Sequence, residues 1–445
     1  MDIQWKIIET YFKDNPNFLV EHHLSSYNDF FNKEIFNIFR EKNPIKLMKD
    51  QNLDTKQFKY TCLLYIGGKD GTKIYYGKPI IYDNNNSHFM YPNEARLRNM
   101  TYGLSIHVDV DVEFKIILDD GTIDNKTITL ENIFIGRFPI MINSNLCILN
   151  SLSTDTKFNM GECKNDHGGY FIIDGKEKSI ICQEKFADNM LYIRDKYNEI
   201  YSHTAEIRSV SEDASKPTRT TAIRIVSPTQ EYTNNQIVVV IPNVKKPIPL
   251  FILMRALGVV SDKSIIEYCL LDIDKNSSFI ELFTPSVHDA GIIFTTETAL
   301  KFIATFTKGK TVPHVLEILS NYFLPHIGED NFIDKAYFVG YMVQELLKVY
   351  TKIKKPTDRD NFKFKRVELT GKLISDLFKE YYTLQQQHIR LKMDKEYYYH
   401  EGIYQTNFTN LISNNYQEFF KERVLENGFK KAFKGNWGAT EHTKK

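Results

Sequence analysis

This chain carries little that would suit a membrane, a disulfide framework or bulk electrostatic attraction. No apolar run reaches the roughly 18 residues a spanning helix needs, and the opening stretch MDIQWKIIETYF mixes acids into its apolar residues without a basic start. It therefore does not read as a signal peptide. Only five cysteines occur (Cys62, Cys147, Cys163, Cys182 and Cys269), odd in number and far apart. That pattern fits reduced thiols in an intracellular protein. Charge of one sign is also missing: 57 Lys and Arg against 56 Asp and Glu leave a formal net charge of +1. A nucleic-acid partner would then be held by local basic patches, not by overall charge.

Common catalytic signatures are equally scarce. Gly67-Gly68-Lys69 lacks the G-x-x-x-x-G-K-[ST] spacing of a phosphate loop. Cys163 and His167 form the only tight pair of soft ligands in the string. Zinc usually takes two such pairs, so no metal held by this chain is expected. His22-His23 reads as helix packing or solvation. Cys182 has no histidine at readable spacing, so a nucleophile is not expected.

What is present is a chain of 445 residues, 42% hydrophobic and 25% charged, enough for about three domains with substantial cores. Residues 4 to 40 show apolar positions at helical spacing, among them Ile7, Ile8, Tyr11 and Phe12. From about 58 to 241 the period becomes two, cleanest at Ile106, Val108, Val110, Val112, Phe114 and Ile116. GGKDGTK (Gly67 to Lys73) reads as a hairpin connection between LLYI and KIYYG, and Asp119-Asp120-Gly121 as the turn ending the alternating strand. After Pro249 the pattern is helical: several short helices over 260 to 325, then a long amphipathic one through Ala336, Val339, Val343, Leu346, Leu347 and Tyr350. A Lys-rich connector, Thr351 to Arg366, precedes a further helical region from about 370 to 430.

Asp109, Asp111 and Glu113 form a D-x-D-x-E run. Such acids share one face of a strand, as metal-binding carboxylates would, but so does any solvated face opposite a Val-lined core face. The solvated face is the reading adopted. Asp358-Arg359-Asp360 reads as a turn after Pro356 or an internal Arg-carboxylate lock. Two basic clusters remain. One holds Lys352, Lys355, Arg359 and Arg366. The other holds Lys430, Lys431 and Lys434, with Phe429 and Phe433 interleaved and Trp437 just beyond. Lysines give sequence-independent phosphate affinity, and aromatics can stack on bases. These eight residues, the three aromatics counted only through Trp437, are the candidate nucleic-acid contacts.

The stretch GGYFIIDGKEKSIICQEK (Gly168 to Lys185) is read as a β-hairpin, strand Tyr170 to Ile173, turn Asp174-Gly175 and strand Ser179 to Cys182. As a string it resembles the second-largest subunit of multisubunit DNA-dependent RNA polymerases in its eukaryotic, archaeal and large-DNA-virus form. The resemblance continues through LVEHHLSSYNDFF (Leu19 to Phe31), EARLRNMTY (Glu94 to Tyr102), IFIGRFPIMI (Ile133 to Ile142), HTAEIRS (His203 to Ser209), RALG (Arg255 to Gly258), FLPHIG (Phe323 to Gly328), DRDNFKFKRVELTG (Asp358 to Gly371) and GNWG (Gly435 to Gly438). One departure is Lys363-Phe364, where the family usually has a Gly-Asn pair.

The resemblance implies an α+β fold. A mixed sheet-and-helix protrusion (1–202 and 370–430) would hold an inserted, largely helical lobe (203–369), with the start of the fork at 431–445. It implies the N-terminal portion of a nucleotidyltransferase subunit that forms one wall of the DNA cleft and holds no catalytic residue. Mg2+ would be held by the largest subunit. Expected partners are that subunit, smaller polymerase subunits, the DNA template, the RNA–DNA hybrid, and initiation factors on lobe and protrusion; no membrane is implied. The Asn, Lys, Ile and Tyr bias accords with a large nucleocytoplasmic DNA virus, hence virion and host cytoplasm, or the nucleus for a cellular version. A fragment, a split gene and an interrupted gene all fit. The alternative is a stand-alone nucleic-acid-binding or virion module that shares the fold without assembling.

Overall fold

The computed structural model describes residues 2–52, 56–83, 86–118, 121–211, 218–230 and 234–439. They fall into two compact units. The first is discontinuous, Met1–Gln183 with Val367–Lys445, and the second, Glu184–Arg366, is inserted into it. The fold class is α+β, as expected.

In the first unit the strand Gly103–Ile117 organises the main sheet. Its alternation buries Leu104, Ile106, Val108, Val110, Val112 and Phe114 on one face. The antiparallel strand Ile123–Pro139 pairs along one edge, with Gly103 opposite Pro139 and Ile117 opposite Ile123. Along the other edge Phe58–Ile66 pairs with residues 110–116, and Ile74–Gly77 continues the line opposite 105–108. GGKDGTK is therefore not a hairpin. It is an excursion between two strands running the same way along one edge, held where Gly67 N donates to Asp109 O at 2.8 Å and Asp109 N to Lys73 O at 3.2 Å. The same Gly-rich string serves either purpose because positive φ at Gly67, Gly68 and Gly71 is needed in both. The expected turn at Asp119-Asp120 lies outside the described residues.

The hairpin also differs in register. Phe171–Ile173 pairs with Lys176–Lys178, not with Ser179 to Cys182. Asp174 (φ 48°) and Gly175 (φ 76°) are both left-handed. That is the signature of a two-residue type I′ turn, after which the partner strand resumes at once.

The long helix Thr370–Tyr399 packs on the helices and sheet of residues 1–183. Phe378 meets Phe30 (centroids 5.8 Å), Phe39 (5.8 Å) and Phe138 (5.7 Å), and Phe138 meets Phe429 (4.8 Å). One apolar core thus joins both parts of this unit. Gly371 lets the helix approach closely, since a Cβ there would lie 1.9 Å from Ser26 O.

The second unit has its own core. Strands Leu191–Asp195, Tyr201–Ser209, Arg219–Val226, Ile237–Val240 and Ile248–Pro249 form an antiparallel meander in chain order. Because Leu191–Asp195 pairs with Tyr201–Ser209, both belong to this sheet. Helices from Leu250–Ala256 to Phe332–Tyr350 complete the unit. Among the described residues no helix is long and apolar enough to cross a membrane.

Candidate nucleic-acid interface

The helix Val424–Phe433 in the first unit carries one basic cluster. Its apolar face is Leu425, Phe429, Ala432 and Phe433, all buried. Phe433 packs edge-on against Phe171 at 4.9 Å, and half-buried Trp437 leans on Phe433 at 5.7 Å. Phe429 and Phe433 are therefore core and not free to stack on bases, while half-buried Trp437 packs part of its ring on that core. The lysines project from the opposite face, as 3.6-residue periodicity requires.

They are not equivalent. Lys430 Nζ lies 2.9 Å from Glu426 Oε1, four residues back. Lys434 Nζ lies 2.7 Å from Asp174 Oδ2 in the hairpin turn. The hydrogen bond from Lys434 holds the Asp174 carboxyl below its ordinary range against the opposing effect of burial. Lys431 is exposed and, among the described residues, pairs with no carboxylate. Beside this helix lies a cleft of about 310 Å3 lined by Lys78, Arg137, Asp174, Glu426, Phe429 and Lys430. Exposed Lys78 and Arg137 were not among the expected residues. Arg137 was findable, since the strand alternation between buried Gly136 and Phe138 turns it outward. Lys78 left no local signal.

The other cluster lies in the second unit. Lys352 and Lys355 are exposed. Exposed Arg366 donates to the carbonyls of Lys363 (3.1 Å) and Lys365 (2.8 Å). Arg359 is not free, and among the described residues it pairs with no carboxylate. Its guanidinium lies over the rings of Phe186 (5.0 Å) and Tyr192 (4.9 Å), while Asp358 Oδ1 accepts from Asp360 N at 3.0 Å. An arginine between two aromatic faces is fixed by cation–π attraction and packing.

The D-x-D-x-E run is fully engaged within the sheet. Asp109 accepts from Tyr75 Oη (2.9 Å) and Asn132 N (2.9 Å); Asp111 pairs with Lys73 (2.9 Å) and accepts from Thr129 Oγ1 (3.0 Å). Glu113 pairs with Lys69. Paired Mg2+ ions need converging carboxylates with free lone pairs, and these acids do not fit that role.

Other segments of the resemblance are structural locks. Arg96 forks onto Glu162 (2.8 and 3.1 Å) and reaches Glu177 (2.8 Å) and Tyr170 Oη (2.7 Å). Buried Arg255 donates to Val260 O at 3.3 Å and also contacts Ile293 O and Asp262. In the second unit the ammonium of Lys335 caps the end of the helix Val312–Asn321, donating to Leu319 O (2.6 Å) and Ser320 O (2.9 Å), and to Glu329 O (3.1 Å). Burial pushes its pKa down to about 8.

One contact of the cysteines has no trace in the sequence spacing. Cys182 does have histidine neighbours: ligand atoms of His22, His23 and Cys182 all lie within 4.8 Å of one another. The separation along the chain hid this. Cys62 and Cys269 are buried, and desolvation raises both thiols above their ordinary range.

A discontinuous α+β unit carrying an inserted sheet-and-helix unit defines the class of scaffold. Its residues 18–414 match the family model described as RNA polymerase beta subunit. The chain belongs to that family, in the N-terminal region of the second-largest subunit. It is 33% identical to DNA-directed RNA polymerase II subunit RPB2 of Eremothecium gossypii over 402 residues, 84% of this chain and 32% of that protein. Against the subunit RPB2 of Encephalitozoon cuniculi the identity is 31%, covering 98% of this chain and 36% of the relative. DNA-directed RNA polymerase subunit Rpo2N of Methanocaldococcus jannaschii is 29% identical, with 89% of this chain and 75% of the relative covered. The chain thus spans about a third of the length of the first two relatives.

Proposed function

We propose that this chain supplies one wall of the DNA cleft in a DNA-directed RNA polymerase, with the first unit as protrusion, the inserted unit as lobe and residues 431–445 as the start of the fork. The observation carrying this reading is the family match over residues 18–414, which runs through both units. The reaction would be templated RNA synthesis from ribonucleoside triphosphates. Mg2+ would be held by the largest subunit, and no step is assigned to Asp109, Asp111 or Glu113, because they are already engaged with Tyr75, Lys73 and Lys69.

The contribution of this chain would be shape and local charge. Lys431, Lys352, Lys355 and Arg366 present exposed cations that give phosphate affinity without sequence preference. Arg137 and Lys78 extend the first-unit patch beside Lys430. Partners would be the largest subunit, smaller subunits, template DNA and the RNA–DNA hybrid, with initiation factors on the outer faces of lobe and protrusion. Origin in a large DNA virus would put it in virion and host cytoplasm, and a cellular origin in the nucleus.

The test is affinity purification of the tagged chain from its native source. Recovery with a largest-subunit homologue and template-dependent nucleotide incorporation supports the proposal. Recovery alone, with full occupancy of nucleic acid but no polymerase subunit, identifies a stand-alone binding module instead.

A further inference from the structure

We propose that His22, His23 and Cys182 form a zinc-class metal clasp that ties the first-unit helix Glu21–Asp29 to the segment leaving the hairpin. The three side chains come from stretches about 160 residues apart, yet their ligand atoms lie within 4.8 Å of one another. Adjacent helix positions diverge by about 100°, but the two imidazoles lie close, with centroids 4.2 Å apart and planes tilted by 37°. The backbone allows this meeting because Gly169 leaves room for the helix start. A Cβ there would come within 3.1 Å of Val20 Cβ.

The chemistry of the set is selective. Two imidazoles and one thiolate suit a borderline-to-soft divalent ion and disfavour Mg2+ or Ca2+, which take oxygen. Tetrahedral zinc with Zn–N near 2.0–2.1 Å and Zn–S near 2.3 Å puts ligand atoms roughly 3.4–3.6 Å apart. Closing from the present spacing needs a shift of about an ångström, within rotamer freedom for side chains that are exposed (His22) or half-buried (His23, Cys182). His23 also has the supporting contact that such ligands usually have: Nδ1 lies 2.7 Å from Thr370 Oγ1. A proton donated there leaves Nε2 as the ligand atom and fixes the ring. Three protein ligands leave a fourth position for water. Binding releases the Cys182 thiol proton to solvent as the metal–sulfur bond forms, and no oxidant or reductant is involved.

Co2+ and Zn2+ titrations of the full 445-residue chain, reduced and metal-stripped, test this. One equivalent of Co2+ should give a thiolate-to-metal charge-transfer band in the near ultraviolet, displaced stoichiometrically by Zn2+. Cys182→Ser should abolish the band, and the paired change His22→Asn with His23→Asn should weaken binding at least about tenfold. Cys163→Ser should leave both unchanged. All variants should melt like the parent in EDTA, so that loss of the band is not loss of fold. No charge-transfer band, a band that survives Cys182→Ser, or one that vanishes with Cys163→Ser would each overturn the proposal.

Discussion

Replacing Arg96 with Ala should be among the most damaging single changes in the first unit, and Arg98→Ala, two residues on, nearly silent. Arg96 is 20% exposed and its main partner Glu162 only 5%. Removing the guanidinium strands a buried carboxylate, an event that typically costs about 3–5 kcal/mol. The further contact to Glu177, itself 56% exposed, adds at most about 1 kcal/mol. Arg98 makes a two-pronged contact with Asp83 at 2.7 and 2.9 Å, but the side chains are 39% and 45% exposed. Solvent and side-chain entropy hold such a pair to roughly 0–1 kcal/mol. For a unit of this size each kcal/mol moves the midpoint by about 2–4 °C. Arg96→Ala should therefore melt about 6–24 °C lower, and Arg98→Ala within about 4 °C of the parent. Because two units need not unfold together, amide hydrogen exchange over residues 92–178 should accompany the thermal scan and localise the loss. Glu162→Gln placed on Arg96→Ala should recover part of the cost, since the stranded charge is gone. Equal and small losses at Arg96 and Arg98, or no recovery with Glu162→Gln, would refute the assignment of this arginine as the lock of the hairpin.

Lys335 titrates near pH 8 in the folded second unit, below the ordinary 10.5, so between those values the unfolded chain binds the extra proton. Its contribution to stability should rise with pH across that window, by roughly 1–3 kcal/mol, and Lys335→Met should lose this rise in pH-dependent urea melts, whatever its absolute stability. Gly340→Ala should destabilise the second unit by roughly 1–3 kcal/mol in denaturant titration, because the new Cβ would lie 2.2 Å from Tyr268 O and overpacking outweighs the ~1 kcal/mol gain in helix propensity. In an assembled polymerase, Lys431→Ala should lower the salt slope of duplex binding by about 0.9, equally on unrelated sequences. Lys430→Ala and Lys434→Ala should lower it less, since each lysine already neutralises a carboxylate; identical slopes for all three would contradict that ranking.

What was legible in the residues is what local periodicity encodes. The alternation from Leu104 to Phe114 marks a strand with one dry face; the acids opposite, read as a solvated face, are instead half-buried and held by Lys69, Lys73, Tyr75 and Thr129. The apolar stripe ending at Tyr350 marks a helix, seen at Phe332–Tyr350. Local spacing also held a clue left unused: Glu426 and Lys430 stand four apart, the separation at which helix side chains meet, so one candidate contact was half-neutralised in advance. Non-local facts had no such trace. Lys434 finds Asp174 across some 260 residues of chain, and Arg359 finds two aromatic rings instead of its neighbouring aspartates. The Gly-rich string at 67–73 fixes where the backbone bends but not which strand its flanks join, a choice made by the one edge of Gly103–Ile117 that Ile123–Pro139 leaves open. His22, His23 and Cys182 make the same point chemically. A ligand set is defined by distance in space, and only folding supplies it. Spacing rules detect metal sites built within one loop or helix; a site assembled from two distant segments looks, residue by residue, like a packed histidine pair and a spare thiol.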